Sequence, residues 1–351
     1  MANTSPGINE LAAGPQSCSG QSLIIAPQGI GDAVMTEPLM RRLQARGERL
    51  TVGALPWVAP VYRAMPQVAE VIEFPFAHGG LQFKARRSLA QQLEGRFDVA
   101  YICPNSLKSA LLPFLASIPK RVGYLGEARV GLLTHRLKNP PKDRRPPMVA
   151  FYSALSGEAD IANDRPQLQL DIAEVDQALG SMGLRRGGFY VFAPGAEYGP
   201  AKRWPAAHFA ELARRLDAPV VLLGSGKEFD LCEEIATPVN AEQPDKCLNL
   251  AGKTTLAHAF SAIAAAKSIV SNDSGLMHVA AAFGVPQVAI FGSSSPLHTP
   301  PLNDRATVLW LKNDSTYQPP LDCAPCFARE CPLGHTRCLV DIKAVDVLQH
   351  I

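Results

Sequence analysis

Three segments of this chain gather residue types able to do acid–base and phosphate chemistry, each where an apolar run gives way to a helical pattern. The first is Ala26-Pro-Gln-Gly-Ile-Gly-Asp32. Gly29 and Gly31 allow a close approach of backbone to ligand, and a helix start offers unpaired N–H groups. Asp32 projects a carboxylate into the same opening, a poor partner for phosphate but a suitable general base. The bland alternative is a helix cap. The second segment, Pro194-Gly-Ala-Glu-Tyr-Gly-Pro-Ala-Lys-Arg-Trp-Pro205, suits a diphosphate. Lys202 is a flexible point charge, Arg203 can donate two parallel hydrogen bonds, and Glu197 can accept from a ribose or sugar hydroxyl. Its alternative is a solvated loop over a packed Trp204. The third is Ser271-Asn-Asp-Ser-Gly-Leu-Met-His278. Here Asp273, acceptor-only when ionised, can orient sugar hydroxyls, and Ser274 can cap the helix or bind phosphate. His278, about one and a half turns on, is either a ligand or a satisfied structural histidine. The small-residue loop Phe291-Gly-Ser-Ser-Ser-Pro296 fits a wall of the same site.

These segments can meet only if the elements around them are arranged as parallel βαβ units, and the pattern of the chain says that they are. Strands are predicted at 22–27, 50–54, 70–74 and 98–103, with one long helix over 32–46. The series restarts with strands at 189–193, 219–223, 268–271 and 287–291 and helices at 205–216, 256–266 and 275–283. The fold class is therefore α/β, with two similar halves and a cleft at the carboxyl ends of their strands. We expect a flexible leader over 1–21, a first domain over 22–175 and a second over 176–351. The proline-rich, basic stretch 139–147 is expected to be a loop.

Length and composition agree with that reading. The 351 residues are 47% apolar and 19% charged, as in ordinary globular proteins, and are enough for two cores. The first 22 residues lack the basic start and apolar stretch of a secretory signal. The apolar run 275–292 is split by Gly284 and Pro286, so it reads as buried core, not as a membrane span. A cytoplasmic protein is expected. The net charge of +2 hides an asymmetry: residues 1–150 carry 18 Lys and Arg against 10 Asp and Glu, a balance of +8, leaving −6 for the rest. A basic first half suggests an anionic partner for it.

Taken in order, the motifs GIGDAVMTEPLMRRL, RVGYLGEARVGLL, GAEYGPAKRWP, SNDSGLMHVAAAFGVPQVAIFG and CAPCFARECPLGHTRCLVDI make the chain resemble the ADP-heptose:lipopolysaccharide heptosyltransferases of glycosyltransferase family 9, from about residue 23 to 348. The resemblance implies the GT-B architecture, two Rossmann-like domains facing a central cleft, with donor held mainly by the second and acceptor by the first. It implies inverting transfer of heptose from ADP-heptose to a lipopolysaccharide inner-core acceptor, with no cofactor and no catalytic metal. The acceptor would be the first heptose (heptosyl-Kdo-lipid A) or, alternatively, Kdo-lipid A. On matching positions, Asp32 becomes the catalytic base and Lys202 the cation that stabilises departing ADP. Glu197, Tyr198, Asp273, Ser274, Gly275 and His278 join Lys202 as donor-binding residues. Ser274 stands where threonine is frequent. Met35 stands where some relatives carry histidine, so no second base is assumed there.

A polyanionic acceptor also gives the basic half a purpose. Lys84, Arg86, Arg87, Lys108, Arg121 and Arg129 are candidate contacts, with Lys108 and Arg129 ranked first. Peripheral contact with the inner face of a membrane is compatible with this. Four of the eight cysteines, Cys323, Cys326, Cys331 and Cys338, follow the spacing C-x2-C-x4-C-x6-C with His335 nearby. That pattern leaves open a metal site, pairing or free thiols. Two other classes are disfavoured. An NAD-type oxidoreductase needs a third glycine where Val34 stands. A zinc-dependent nucleic-acid-binding module would not keep its basic half and its cysteines at opposite ends of the chain, and no nucleic-acid partner is expected.

Overall fold

Short β-branched runs buried on both faces favour parallel strands covered by helices, and the computed structural model has that form over residues 20–76, 80–141, 144–158 and 164–351. The leader 1–19 and residues 142 and 143 of the proline-rich loop lie outside the described residues. The first half runs β1 (Gln21–Ile25), α1 (Ile30–Met35), α2 (Glu37–Ala45), β2 (Arg49–Ala54), α3 (Ala59–Arg63), β3 (Val68–Glu73), α4 (Phe83–Leu93), β4 (Val99–Ile102), α5 (Leu107–Leu115), β5 (Lys120–Tyr124), β6 (His135–Leu137) and α6 (Met148–Ser153). The second runs α7 (Ile172–Ser181), β7 (Tyr190–Ala193), α8 (Ala206–Arg215), β8 (Val220–Leu222), α9 (Phe229–Glu242), β9 (Cys247–Asn249), α10 (Leu256–Ala265), β10 (Ile269–Asn272), α11 (Gly275–Ala282), β11 (Gln287–Ile290), β12 (Ala306–Leu309), α12 (Arg337–Val340) and α13 (Ala344–Leu348).

Each half builds a six-stranded parallel sheet, ordered β3-β2-β1-β4-β5-β6 and β12-β11-β10-β7-β8-β9. Read from its other edge, the second order repeats the first. In both sheets the order reverses beside the first strand of the half, at β1/β4 and at β7/β10, where doubly wound folds place ligands. The three chemistry-bearing segments leave the carboxyl ends of β1, β7 and β10.

The expected helix over 32–46 is two helices. Thr36 ends α1 and starts α2, and Pro38 in the first turn of α2 explains the break. Pro38 has no N–H to continue the ladder, and its ring would crowd the preceding turn. Thr36 Oγ1 instead donates to the Ala33 carbonyl at 2.7 Å. The boundary expected after residue 175 falls inside α7, which packs against α10 and so belongs with the second half.

The halves share packing. One apolar cluster extends from Ile24, Val34 and Leu39 to Phe260, Val279 and Val285, and α1 packs directly on α11. A Cβ on Gly31 would lie 2.8 Å from His278 Cδ2, and one on Gly275 would lie 3.0 Å from Ile30 Cβ, so both positions need glycine for the helices to approach this closely. The connection between halves is stitched to both. Gln167 N–H donates to Glu37 Oε2 (3.0 Å), while Leu168 N–H and Gln169 N–H donate to the carbonyls of Ala282 (3.1 Å) and Ala64 (2.8 Å).

Candidate functional site

Asp32 sits in the first turn of α1, but Gly29 is the residue that starts the helix. The carboxylate is therefore not the cap. Its Oδ1 instead accepts a hydrogen bond from the Tyr152 hydroxyl at 3.1 Å, brought across by α6. Burial raises the Asp32 pKa above the ordinary carboxylate range; the Tyr152 hydrogen bond, His298 and Lys202 draw it back, and Asp273 pushes it up. Burial likewise raises the Tyr152 phenol well above its usual value, so it stays a proton donor to Asp32.

Opposite Asp32 stands a pair from the second half. Lys202 Nζ donates to Asp273 Oδ2 at 2.5 Å, with both side chains largely buried. The Lys202 loop is held from below by Trp204, which is 1% exposed: its backbone N–H donates to Asn272 Oδ1 and its indole N–H to the Ile342 carbonyl. Thr299 Oγ1 reaches toward Asp273 Oδ1 at 3.5 Å. Around this pair lie buried hydroxyls with no hydrogen-bond partner among the described residues, those of Ser271, Ser274, Ser293 and Ser294. Unsatisfied buried hydroxyls cost stability, and a polar ligand that accepts from them recovers that cost. Ser274 and Gly275 open α11, as expected, and the Ser274 hydroxyl makes no cap bond.

His278 lies on α11 against Gly31. Burial lowers its pKa to about 4, with Asp273 opposing and Lys202 assisting. It is neutral near pH 7 and adds no counter-charge for an anion. Glu197 is exposed. Tyr198 donates from its hydroxyl to the Phe327 carbonyl at 2.7 Å, and its ring lies beneath Lys202 Nζ at 5.3 Å. The Arg203 guanidinium donates to the Ala196 carbonyl at 3.3 Å, and its buried Nε has no partner among the described residues.

On the first half, a groove of about 450 Å³ is lined by Gln28, Pro104, Asn105, Ser106, Lys108, Gly126 and Glu127. Gln28 belongs to the loop that leads into α1, so this loop forms part of the groove wall. Lys108 borders it, as an acceptor contact would. Arg129 does not. It is fully buried, and its guanidinium donates to the carbonyls of Tyr124, Pro104 and Ser106 and to Asn105 Oδ1 at 3.0 Å. The expected surface cation is thus an internal tie that shapes the groove wall, because its five donors meet carbonyls gathered at the end of β5 and in the 104–106 loop. Arg86 and Arg121 are similarly engaged, donating to the carbonyls of Leu81 and of Leu132 and lying over the rings of Phe76 and Phe114. Sequence reasoning missed Tyr152, His298 and Thr299, which reach the site from elements far along the chain and carry no local pattern.

Residues 86–336 match the model of glycosyltransferase family 9 (heptosyltransferase). The chain is 45% identical over 305 residues to lipopolysaccharide heptosyltransferase 2 of Escherichia coli strain K12, covering 82% of this chain and 87% of that protein. It is 39% identical over 306 residues to lipooligosaccharide heptosyltransferase 2 of Haemophilus influenzae, covering 82% and 88%. The solved structure of E. coli ADP-heptose LPS heptosyltransferase II matches with a TM-score of 0.80 at 40% identity, over 94% of this chain and 97% of that one.

Proposed function

The chain belongs to glycosyltransferase family 9, and from that premise we propose that it transfers heptose from ADP-heptose to the first heptose of the lipopolysaccharide inner core, with inversion at the anomeric carbon. The observation that carries this is the meeting of Asp32 from one half with the Lys202–Asp273 pair and the unpartnered serine hydroxyls of the other. Asp32 takes the proton of the acceptor hydroxyl as its oxygen attacks the anomeric carbon, and the bond from that carbon to the diphosphate oxygen breaks. Lys202 leaves Asp273 to follow the charge that builds on ADP, aided by the hydroxyls of Ser274 and Ser293. Asp273, freed of Lys202, accepts from the hydroxyls of the donor heptose. Tyr198 and Glu197 border the nucleotide side.

The acceptor lies in the groove beside Lys108, whose charge suits the anionic inner core. In this reading residues 22 to about 171 bind acceptor, and the half beginning with α7 binds donor. No helix among the described residues is long and apolar enough to cross a membrane. We place the reaction in the cytoplasm, with peripheral contact to the membrane that carries the lipid acceptor.

The test is ADP release from ADP-heptose in the presence of EDTA, comparing heptosyl-Kdo-lipid A with Kdo-lipid A as acceptor. Acceptor-dependent release from the first, falling by about 10²-fold or more in Asp32→Asn with donor binding retained, is the expected result. Release only from Kdo-lipid A would move the protein to the preceding transfer, and release from neither would overturn the assignment.

A further inference from the structure

One outer layer of the first half is apolar where a solvated surface would be polar, and the chemistry above makes no use of it. Helices α4 and α5 pack side by side over one face of the first sheet. Helix α5 reads LKSALLPFL, with Lys108 as its one charged residue. Its inner side, with Ala110, Leu112 and Pro113, is buried, yet its outer stripe is apolar too: Leu107 and Phe114 are exposed, and Leu111 is half-buried between them. Positions i, i+4 and i+7 share one helix face, so these three form a line. Leu81 and Phe83, at the start of α4, are 48% and 47% exposed. Among the described residues of the first half, Trp57 and Val130 are the only other large apolar side chains exposed. Trp57 stands by the groove, its indole N–H donating to the Gln28 carbonyl at 3.1 Å.

Charge on this layer has one sign. Residues 74–93 and 99–126, which contain both helices, hold no Asp or Glu. Lys84 and Arg87 are exposed on α4, and the Arg121 guanidinium lies 5.5 Å from the Phe114 ring. Glu127, at the groove end of the layer, accepts from the Leu107 N–H at 2.8 Å. Exposed leucine and phenylalanine interleaved with cations fit the boundary of an anionic bilayer, where apolar side chains enter the acyl region and Lys and Arg meet lipid phosphates. A second copy of this chain fits less well, because a two-fold contact would set the cations of one layer against those of the other.

We propose that the α4–α5 layer docks on the surface of a membrane containing anionic phospholipid. The proposal rests on the reading of a lipid-borne acceptor and gives that reading an orientation. Leu107 stands between Ser106 and Lys108, which both line the groove. Docking the layer therefore brings the groove to the bilayer surface, where an inner-core sugar emerges from its lipid. The acceptor enters the groove without leaving the membrane.

The experiment uses the full chain and vesicles of phosphatidylcholine with phosphatidylglycerol, against phosphatidylcholine alone, with neither donor nor acceptor present. Co-sedimentation should show binding to the mixed vesicles that weakens as salt rises. Lys84→Gln/Arg87→Gln should bind roughly 25-fold more weakly, at about fivefold for each charge lost. Leu81→Ser/Phe83→Ser, checked for unchanged thermal unfolding, should lose about tenfold or more. A second readout ties the surface to its use. With acceptor embedded in the mixed vesicles at subsaturating lipid, Leu81→Ser/Phe83→Ser should transfer about tenfold more slowly, while on deacylated acceptor free in solution it should match wild type. Vesicle binding is read without substrates, so its outcome is separate from whether the protein transfers heptose. No binding to the mixed vesicles, or equal binding by wild type and either double variant, would overturn the proposal, as would an equal loss of transfer on both acceptors. A wild-type dimer that Leu81→Ser/Phe83→Ser dissolves would also overturn it, assigning the layer to a second copy.

Discussion

Asp32 must be ionised to accept a proton, and burial works against that. The Tyr152 hydroxyl offsets part of the cost by donating to the carboxylate. The balance leaves a base whose pKa is raised, and so better matched to a hydroxyl proton. Activity should therefore fall as pH drops through a value above that of an ordinary aspartate. Removing the donor in Tyr152→Phe should move this acid limb of the kcat profile to still higher pH. A hydrogen bond to a charged group is worth about 1.5 kcal/mol or more, roughly one pH unit. A limb that stays in place while kcat drops would assign Tyr152 to packing alone. Asp32, Lys202 and Asp273 were legible in the sequence because each follows a strand within a glycine-containing turn. Tyr152 was not, because its contact with Asp32 spans 120 residues and is created by the placement of α6. Arg129 was misjudged for a related reason: its position in a basic segment says nothing of the carbonyls that surround it.

Among elements, the strands and helices richest in pattern were found within a residue or two of their observed ends. Those not predicted include β5, the helices α4, α5, α7 and α9, and three edge strands: β6 reads HRL and β9 reads CLN, while β12 is only half-buried along its length. Edge strands of this kind bury little side chain, so they leave little periodic signal. The contact of α1 with α11 was equally hidden, since two glycines on different halves mark it only once they touch. It gives a sharp expectation. In Gly31→Ala the new Cβ would press on His278 at 2.8 Å. The helices must separate, which should cost roughly 1–3 kcal/mol in unfolding free energy and misplace Asp32 relative to Lys202. Thermal unfolding of the single and double variants checks this. The Gly31→Ala penalty should shrink in a His278→Ala background, and an equal penalty in both backgrounds would locate the strain elsewhere.

For the molecule as a whole, the basic half and the acidic half carry +8 and −6. Arg86, Arg121 and Arg129 spend their guanidinium groups on internal contacts. Their charge still adds to the field that attracts an anionic acceptor, although they cannot grip it. The connection between the halves is likewise more than a tether. It has no helix or strand at 167–169, yet its consecutive amides are held alternately by the two halves. Slow exchange with deuterium is normally a property of sheets and helices, but here it should appear in a loop. The Leu168 amide, bonded to Ala282, should exchange only when the halves part, whereas Gln167 and Gln169 follow the undocking of the strap from the first half. Residue-resolved exchange should thus slow at Leu168 when donor and acceptor are both bound. Three neighbouring amides then form a built-in clock for the opening of the cleft.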